Sequence, residues 1–92
     1  MKHKTIDISA DITSVSDGAV MYYGVTINTV LSAHVCLIQE GTTVAFRIPA
    51  SAPAGNYYDH GGEEGVEITN LIVNPDDSAT GEIVVHYRDG VR

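Results

Sequence analysis

Tryptophan is absent from this 92-residue chain, cysteine and phenylalanine occur once each, and five basic residues stand against twelve acidic ones. Each shortage excludes something. The single thiol, Cys36, closes no internal disulfide, and without further Cys or His at ligand spacing it builds no zinc site. It is expected to pack as a small apolar residue rather than to react. The net charge of −7 repels phosphate backbones, and the Lys and Arg residues are too scattered to form an overriding basic patch. No nucleic-acid partner is expected. No apolar run approaches the roughly 20 residues that span a bilayer. After Met1-Lys2-His3-Lys4 the apolar residues alternate with Asp7, Ser9 and Asp11, which leaves no continuous signal-peptide core. A soluble chain with no membrane partner and no secretory leader is the expectation.

The hydrophobic pattern that is present has a period of two, the signature of strands with one face toward a core. Ile6 and Ile8 begin a short strand that can continue through Ile12 and Val15, and Ser16-Asp17-Gly18 reads as a turn. Val20 to Val30 is the longest strand candidate, with Met21, Tyr23, Val25 and Ile27 on one face and Gly24 marking a bulge or a close backbone approach. Ala33 to Gln39 and Thr43 to Ile48, joined at Glu40-Gly41-Thr42, form a hairpin. The stretch from Pro49 to Gly65 is rich in turn formers and reads as an irregular loop. Val66 to Val73 follows, with its inward parity switching near Asn70. Asn74-Pro75-Asp76-Asp77-Ser78 makes a turn, and Gly81 to Arg88 closes the chain.

Six or seven short strands in one small domain, residues 1–92, predict an all-β fold: a small antiparallel β-sandwich of jelly-roll or immunoglobulin-like kind, or a partly closed barrel. The expected core is Val25, Ile27, Leu37, Val44, Phe46, Ile48, Ile68, Ile83, Val85 and Tyr87. A chain this short buries only roughly 60–65% of the surface its unfolded form exposes, so that core is thin.

Two strands are apolar on both faces, Val35-Cys36-Leu37-Ile38 and Ile83-Val84-Val85. Outer-facing apolar residues call for a second cover, from a partner, from a sister subunit or from the chain's own ends, unless they are scattered exposure of the kind proteins tolerate. Cys36, Ile38 and Val84 are the candidates for such a contact. Tyr57 and Tyr58 are the candidate contact pair on the loop, since aromatic side chains favour interfaces and sugar surfaces. Asp59-His60-Gly61-Gly62-Glu63-Glu64 gathers three carboxylates and an imidazole within six residues. Its spacing matches neither an EF-hand loop nor a zinc signature, so neither a metal nor another cofactor is expected. His3, His34, His60 and His86 are spread along the chain with no nucleophile in a recognisable context beside them. Catalysis is not expected.

Gly18-Ala19-Val20-Met21-Tyr22-Tyr23-Gly24-Val25-Thr26-Ile27-Asn28, Ile38-Gln39-Glu40-Gly41-Thr42-Thr43 and Thr80-Gly81-Glu82-Ile83-Val84-Val85-His86-Tyr87 together resemble small virion structural proteins of tailed phages. The likeness covers about three quarters of the chain and lies in strand-and-turn patterns. It implies a sandwich that decorates a capsid through surface contacts with the major capsid protein or another virion protein, as a trimer or another symmetric cluster. A carbohydrate- or receptor-binding module is the alternative, against which the lack of tryptophan counts. Calorimetric titration with Ca²⁺ and Zn²⁺ should give no single-site isotherm at micromolar affinity, and a stoichiometric one would refute this reading of the acidic loop.

Overall fold

The computed structural model describes residues 2–9 and 12–90. Seven strands form one antiparallel sheet: β1 (Lys2–Asp7), β2 (Thr13–Thr29), β3 (Cys36–Glu40), β4 (Thr43–Ile48), β5 (Tyr57–Tyr58), β6 (Val66–Asn74) and β7 (Glu82–Asp89). Their order is β1-β7-β2-β6-β3-β4, with β5 also pairing to β2. The all-β class and sandwich-like packing expected from the period-two pattern are what is found. The strands belong to a single unclosed sheet around one core, measuring 36 × 25 × 17 Å.

The sheet turns because β2 is long and irregular. Its register against β6 shifts between Ser14 and Ser16 and again between Ser16 and Ala19, and against β7 between Tyr22 and Gly24. Each bulge adds a residue on one strand, sharpens the twist and reverses which side chains face inward. Val20 and Tyr22 therefore point into the same core as Val25 and Ile27. The unbroken alternation expected through Met21, Tyr23, Val25 and Ile27 is corrected here: Met21 and Tyr23 are buried outside that core, against Gly65. Ser16-Asp17-Gly18 likewise lies within β2 as bulged strand rather than as a turn. The expected continuation of the first strand toward Ile12 crosses residues outside the described ones.

β6 behaves as its sequence implies. Ile68 is buried, Leu71 and Val73 are buried, and the switch between them falls on Asn70, whose φ is +60°. Asn tolerates that left-handed conformation better than most residues. Its carbonyl accepts a hydrogen bond from Gly41 N at 2.9 Å, which ties the β3–β4 hairpin turn to β6. The hairpin itself pairs Cys36 with Ile48 and Ile38 with Phe46.

The Pro/Gly-rich stretch is less irregular than expected. β6 covers one edge of β2 only as far as Tyr22, paired with Val66. Beyond that point residues 55–61 take over the same edge. Gly55 N bonds Ile27 O at 2.7 Å, Ile27 N bonds Asn56 O at 2.8 Å, Tyr57 and Tyr58 pair with Thr26 and Val25, and Gly61 N bonds Tyr23 O at 2.7 Å. The edge would otherwise leave a row of unpaired backbone groups beside the core.

Of the expected core, Val25, Ile27, Ile48, Ile68, Ile83 and Val85 are fully buried, while Phe46 and Tyr87 pack half-buried at its margin. Val44 is half-buried and lies outside the cluster. Leu37 is misplaced by one residue, because Cys36 and Ile38 occupy the inward positions of β3 at 0% exposure. Val35, Cys36, Leu37 and Ile38 are all apolar, so nothing in their order discriminates the two faces.

Gly24 sits where β2 and β5 come closest. A Cβ built on it would lie 2.1 Å from the Tyr58 carbonyl oxygen, whereas one built on Gly18 meets nothing within 4 Å. Gly24→Ala should therefore destabilise the fold by about 1–3 kcal/mol, read from the urea midpoint. Gly18→Ala should stay within about 0.5 kcal/mol of the parent, and equal midpoints for the two would contradict the bulge geometry.

Candidate functional site

Alternation across paired strands decides which side chains share a surface. On the inner side, Tyr22 from β2, Phe46 from β4, Tyr58 from β5 and His60 meet at the gap where the sheet fails to close. The His60 ring lies parallel to Phe46 with centroids 4.7 Å apart, 5.8 Å from Tyr22 and 6.3 Å from Tyr58. The Tyr22 hydroxyl is hydrogen-bonded to His60 Nδ1 at 2.7 Å, donating when the imidazole proton is on Nε2. Burial raises the Tyr22 phenol far above its ordinary value, so it remains neutral. Burial also lowers His60, against a smaller opposing pull from Asp59. The imidazole acts here as a satisfied packing group that gives a buried phenol its partner.

On the outer side, Thr5 pairs with Val84, Val84 with Thr26, and Thr26 with Tyr57, forming one row across β1, β7, β2 and β5. The next row holds His3, His86 and Gly24. His86 Nε2 meets the Thr26 hydroxyl at 2.7 Å, and the His3 and His86 Nδ1 atoms are 2.5 Å apart. One ring donates to the other in this contact, the direction being set by the tautomers. Burial lowers the His86 pKa, and the neighbouring His3 lowers it further. Tyr57 lies over the bare backbone of Gly24, its hydroxyl 3.0 Å from where a Cβ would stand, and its ring centroid is 5.7 Å from that of His86.

The five candidate contact residues are thus sorted by the fold. Tyr57, 49% exposed, and half-buried Val84 stand in the same outer row. Tyr58 faces inward at the rim of the core. Cys36 and Ile38 lie wholly inside, which corrects their expected outward placement. They can form no surface contact without unfolding β3. Burial pushes the Cys36 thiol up to about 12, so it is protonated and inert at neutral pH. Sequence reasoning did not single out His86, His3 or Thr26 for this surface. The signal that could have found them is parity, since Thr26, Val84 and His86 all alternate with core residues.

Between the outer face and the acidic loop lies an open groove of about 250 Å³ lined by Tyr23, Tyr57, Asp59, Gly62 and Glu63. The Asp59 carboxylate accepts a hydrogen bond from Gly62 N at 3.1 Å, which shapes the loop. A larger groove of about 540 Å³ on the far half of the sheet is lined by Val35, Leu37, Arg47, Asn74, Pro75, Asp76 and Asp77. Among the described residues, no group of three or more His, Cys, Asp or Glu side chains is arranged to hold a metal, and no helix is long and apolar enough to cross a membrane. The chain matches no protein-family model, no curated protein and no solved structure.

The histidines set an acid limit on stability. His60 and His86 sit below their ordinary 6.5 in the folded protein, so below about pH 6.5 the unfolded chain binds protons that the folded one refuses. Stability is intact above that pH and falls as pH drops through 6.5 toward the lowered folded values. The melting temperature should be lower at pH 5 than at pH 7, and the fall should be smaller in His60→Gln. An identical fall in the two proteins would show that His60 is not a source of it.

Proposed function

We propose that this chain is a phage virion structural protein of the capsid-decorating kind, which works by binding rather than by catalysis and docks through the outer face of β1, β7, β2 and β5. The observation that carries this reading is the row of Val84, Thr26 and Tyr57. It places a half-buried aliphatic and a half-exposed aromatic side chain together on the side of the sheet opposite the core. Tyrosine on an otherwise polar face favours contacts, because it offers apolar area together with a hydroxyl at low conformational cost.

Size supports the same surface. A standard protein contact takes about 800 Å² from each partner, close to one broad face of a molecule 36 × 25 Å across. On a capsid the partner is the major capsid protein or another virion protein, and the protein works at the virion surface after synthesis in the host cytoplasm. Because only the assembled shell presents the site, binding stabilises the shell by mass action. The excess of negative charge favours solubility of the free protein. A symmetric trimer would cover Val84 and supplement a thin core.

The groove beside Tyr57 favours a second reading, a carbohydrate- or receptor-binding module, since tyrosines flanked by carboxylates suit sugar hydroxyls. Two measurements separate them. Mass spectrometry of purified particles should find the chain at stoichiometric level, and sedimentation at tens of micromolar should give a trimer that Val84→Glu converts to monomers without loss of strand content. Particles lacking the chain would defeat the virion assignment. A wild-type monomer, or a Val84→Glu variant that stays assembled, would defeat the trimer.

A further inference from the structure

We propose that the groove formed by Tyr23, Tyr57, Asp59, Gly62 and Glu63 is a receptor for a single cationic side chain, a lysine or arginine presented by a protein partner. The proposal deepens the docking reading by naming the chemistry of the partner's contact.

Four observations combine. The lining includes two phenol rings, and aromatic faces attract cations through their quadrupole. It also includes two carboxylates and no basic residue. Asp59 is held in place by its bond from Gly62 N, and neither Asp59 nor Glu63 is ion-paired with a cation among the described residues. The larger groove differs in this respect, because its lining includes a basic residue, Arg47, beside Asp76 and Asp77. Volume then decides between occupants. About 250 Å³ is below the roughly 300–1,000 Å³ typical of small-molecule sites, which leaves room for one side chain and not for an oligosaccharide.

The groove is also built into the sheet. Tyr23 is the residue squeezed out at the β2 bulge, 8% exposed and held against Gly65, while Tyr57 is fixed by its pairing with Thr26. Both rings are therefore placed by backbone hydrogen bonds rather than by a free loop, so little ordering is required on binding. The chain's net charge of −7 adds a field that draws cations toward the protein.

The test is a titration of the ¹⁵N-labelled full chain, followed by amide shifts, with Nα-acetyl-lysine amide and Nα-acetyl-arginine amide as probes. Nα-acetyl-norleucine amide and galactose serve as neutral comparisons. The cationic probes should give saturable shifts centred on Tyr57, Gly62 and Glu63 in the millimolar range. Added salt should weaken them, and Tyr57→Leu and Glu63→Gln should each weaken them by roughly fivefold. The amide spectra of both variants report whether they remain folded. Equal shifts from norleucine amide would mean an apolar groove, tighter binding of galactose would mean a sugar site, and no saturation up to about 50 mM would mean no site; each overturns the proposal. Failure of this titration leaves capsid attachment open, and absence of the chain from particles leaves the titration result standing, so the two ideas fail separately.

Discussion

Everything distinctive in this fold passes through the contact between Gly24 and the carbonyl of Tyr58. With 2.1 Å between that oxygen and the place of a Cβ, only glycine lets residues 55–61 lie along the edge of β2. Beside that approach lie the bulge at Tyr23 against β7, with the change of parity that sends Val25 and Ile27 inward after Val20 and Tyr22, and the docking of Tyr58 and His60 at the margin of the core. The outer surface depends on it equally, since Tyr57 occupies space that a side chain at position 24 would fill. Core and candidate site are two faces of one backbone constraint.

The polar groups drawn inside by this arrangement are matched. Tyr22 is wholly buried with its hydroxyl bonded to His60, and among the described residues no buried side-chain nitrogen or oxygen lacks a partner. A buried phenol left alone would cost about 1–3 kcal/mol, so His60 contributes to stability through satisfaction as well as through its stacking on Phe46. The same ring bridges the open side of the sheet, joining β4 to β2 and β5 where no backbone ladder runs. An unclosed sheet thereby gains some of the cohesion that closure would supply.

Strand identity was legible wherever apolar and polar residues alternate. The step from Ile68 to Leu71 discloses the switch at Asn70, and the outward direction of Val84 follows from Ile83 and Val85 on either side. It was illegible where apolar residues run together. Val35 to Ile38 carries no alternation, and its faces were assigned in reverse. Val20 to Tyr23 is apolar throughout, and the bulge that turns Val25 to the same side as Tyr22 depends on a neighbour more than thirty residues away. Proline and glycine between positions 49 and 65 signalled turns correctly but concealed a segment whose backbone completes the sheet. Of the candidate contacts, Tyr57 and Val84 came from parity, whereas the groove joins positions 23 and 63, a juxtaposition that only the strand order supplies.

The strand order also governs when the molecule can come into being. β7, which follows the other six strands in sequence, lies between β1 and β2, which precede the rest. Until it emerges from the ribosome, β1 has no neighbour, Ile83 and Val85 are missing from the core, and one whole edge of β2 is bare. Pairing of this kind is non-local and correspondingly slow. A nascent copy must therefore carry an exposed, strongly apolar β2 until β7 has been made, a state that other chains can pair with. The net charge of −7 opposes such pairing by mutual repulsion during the interval before β7 inserts.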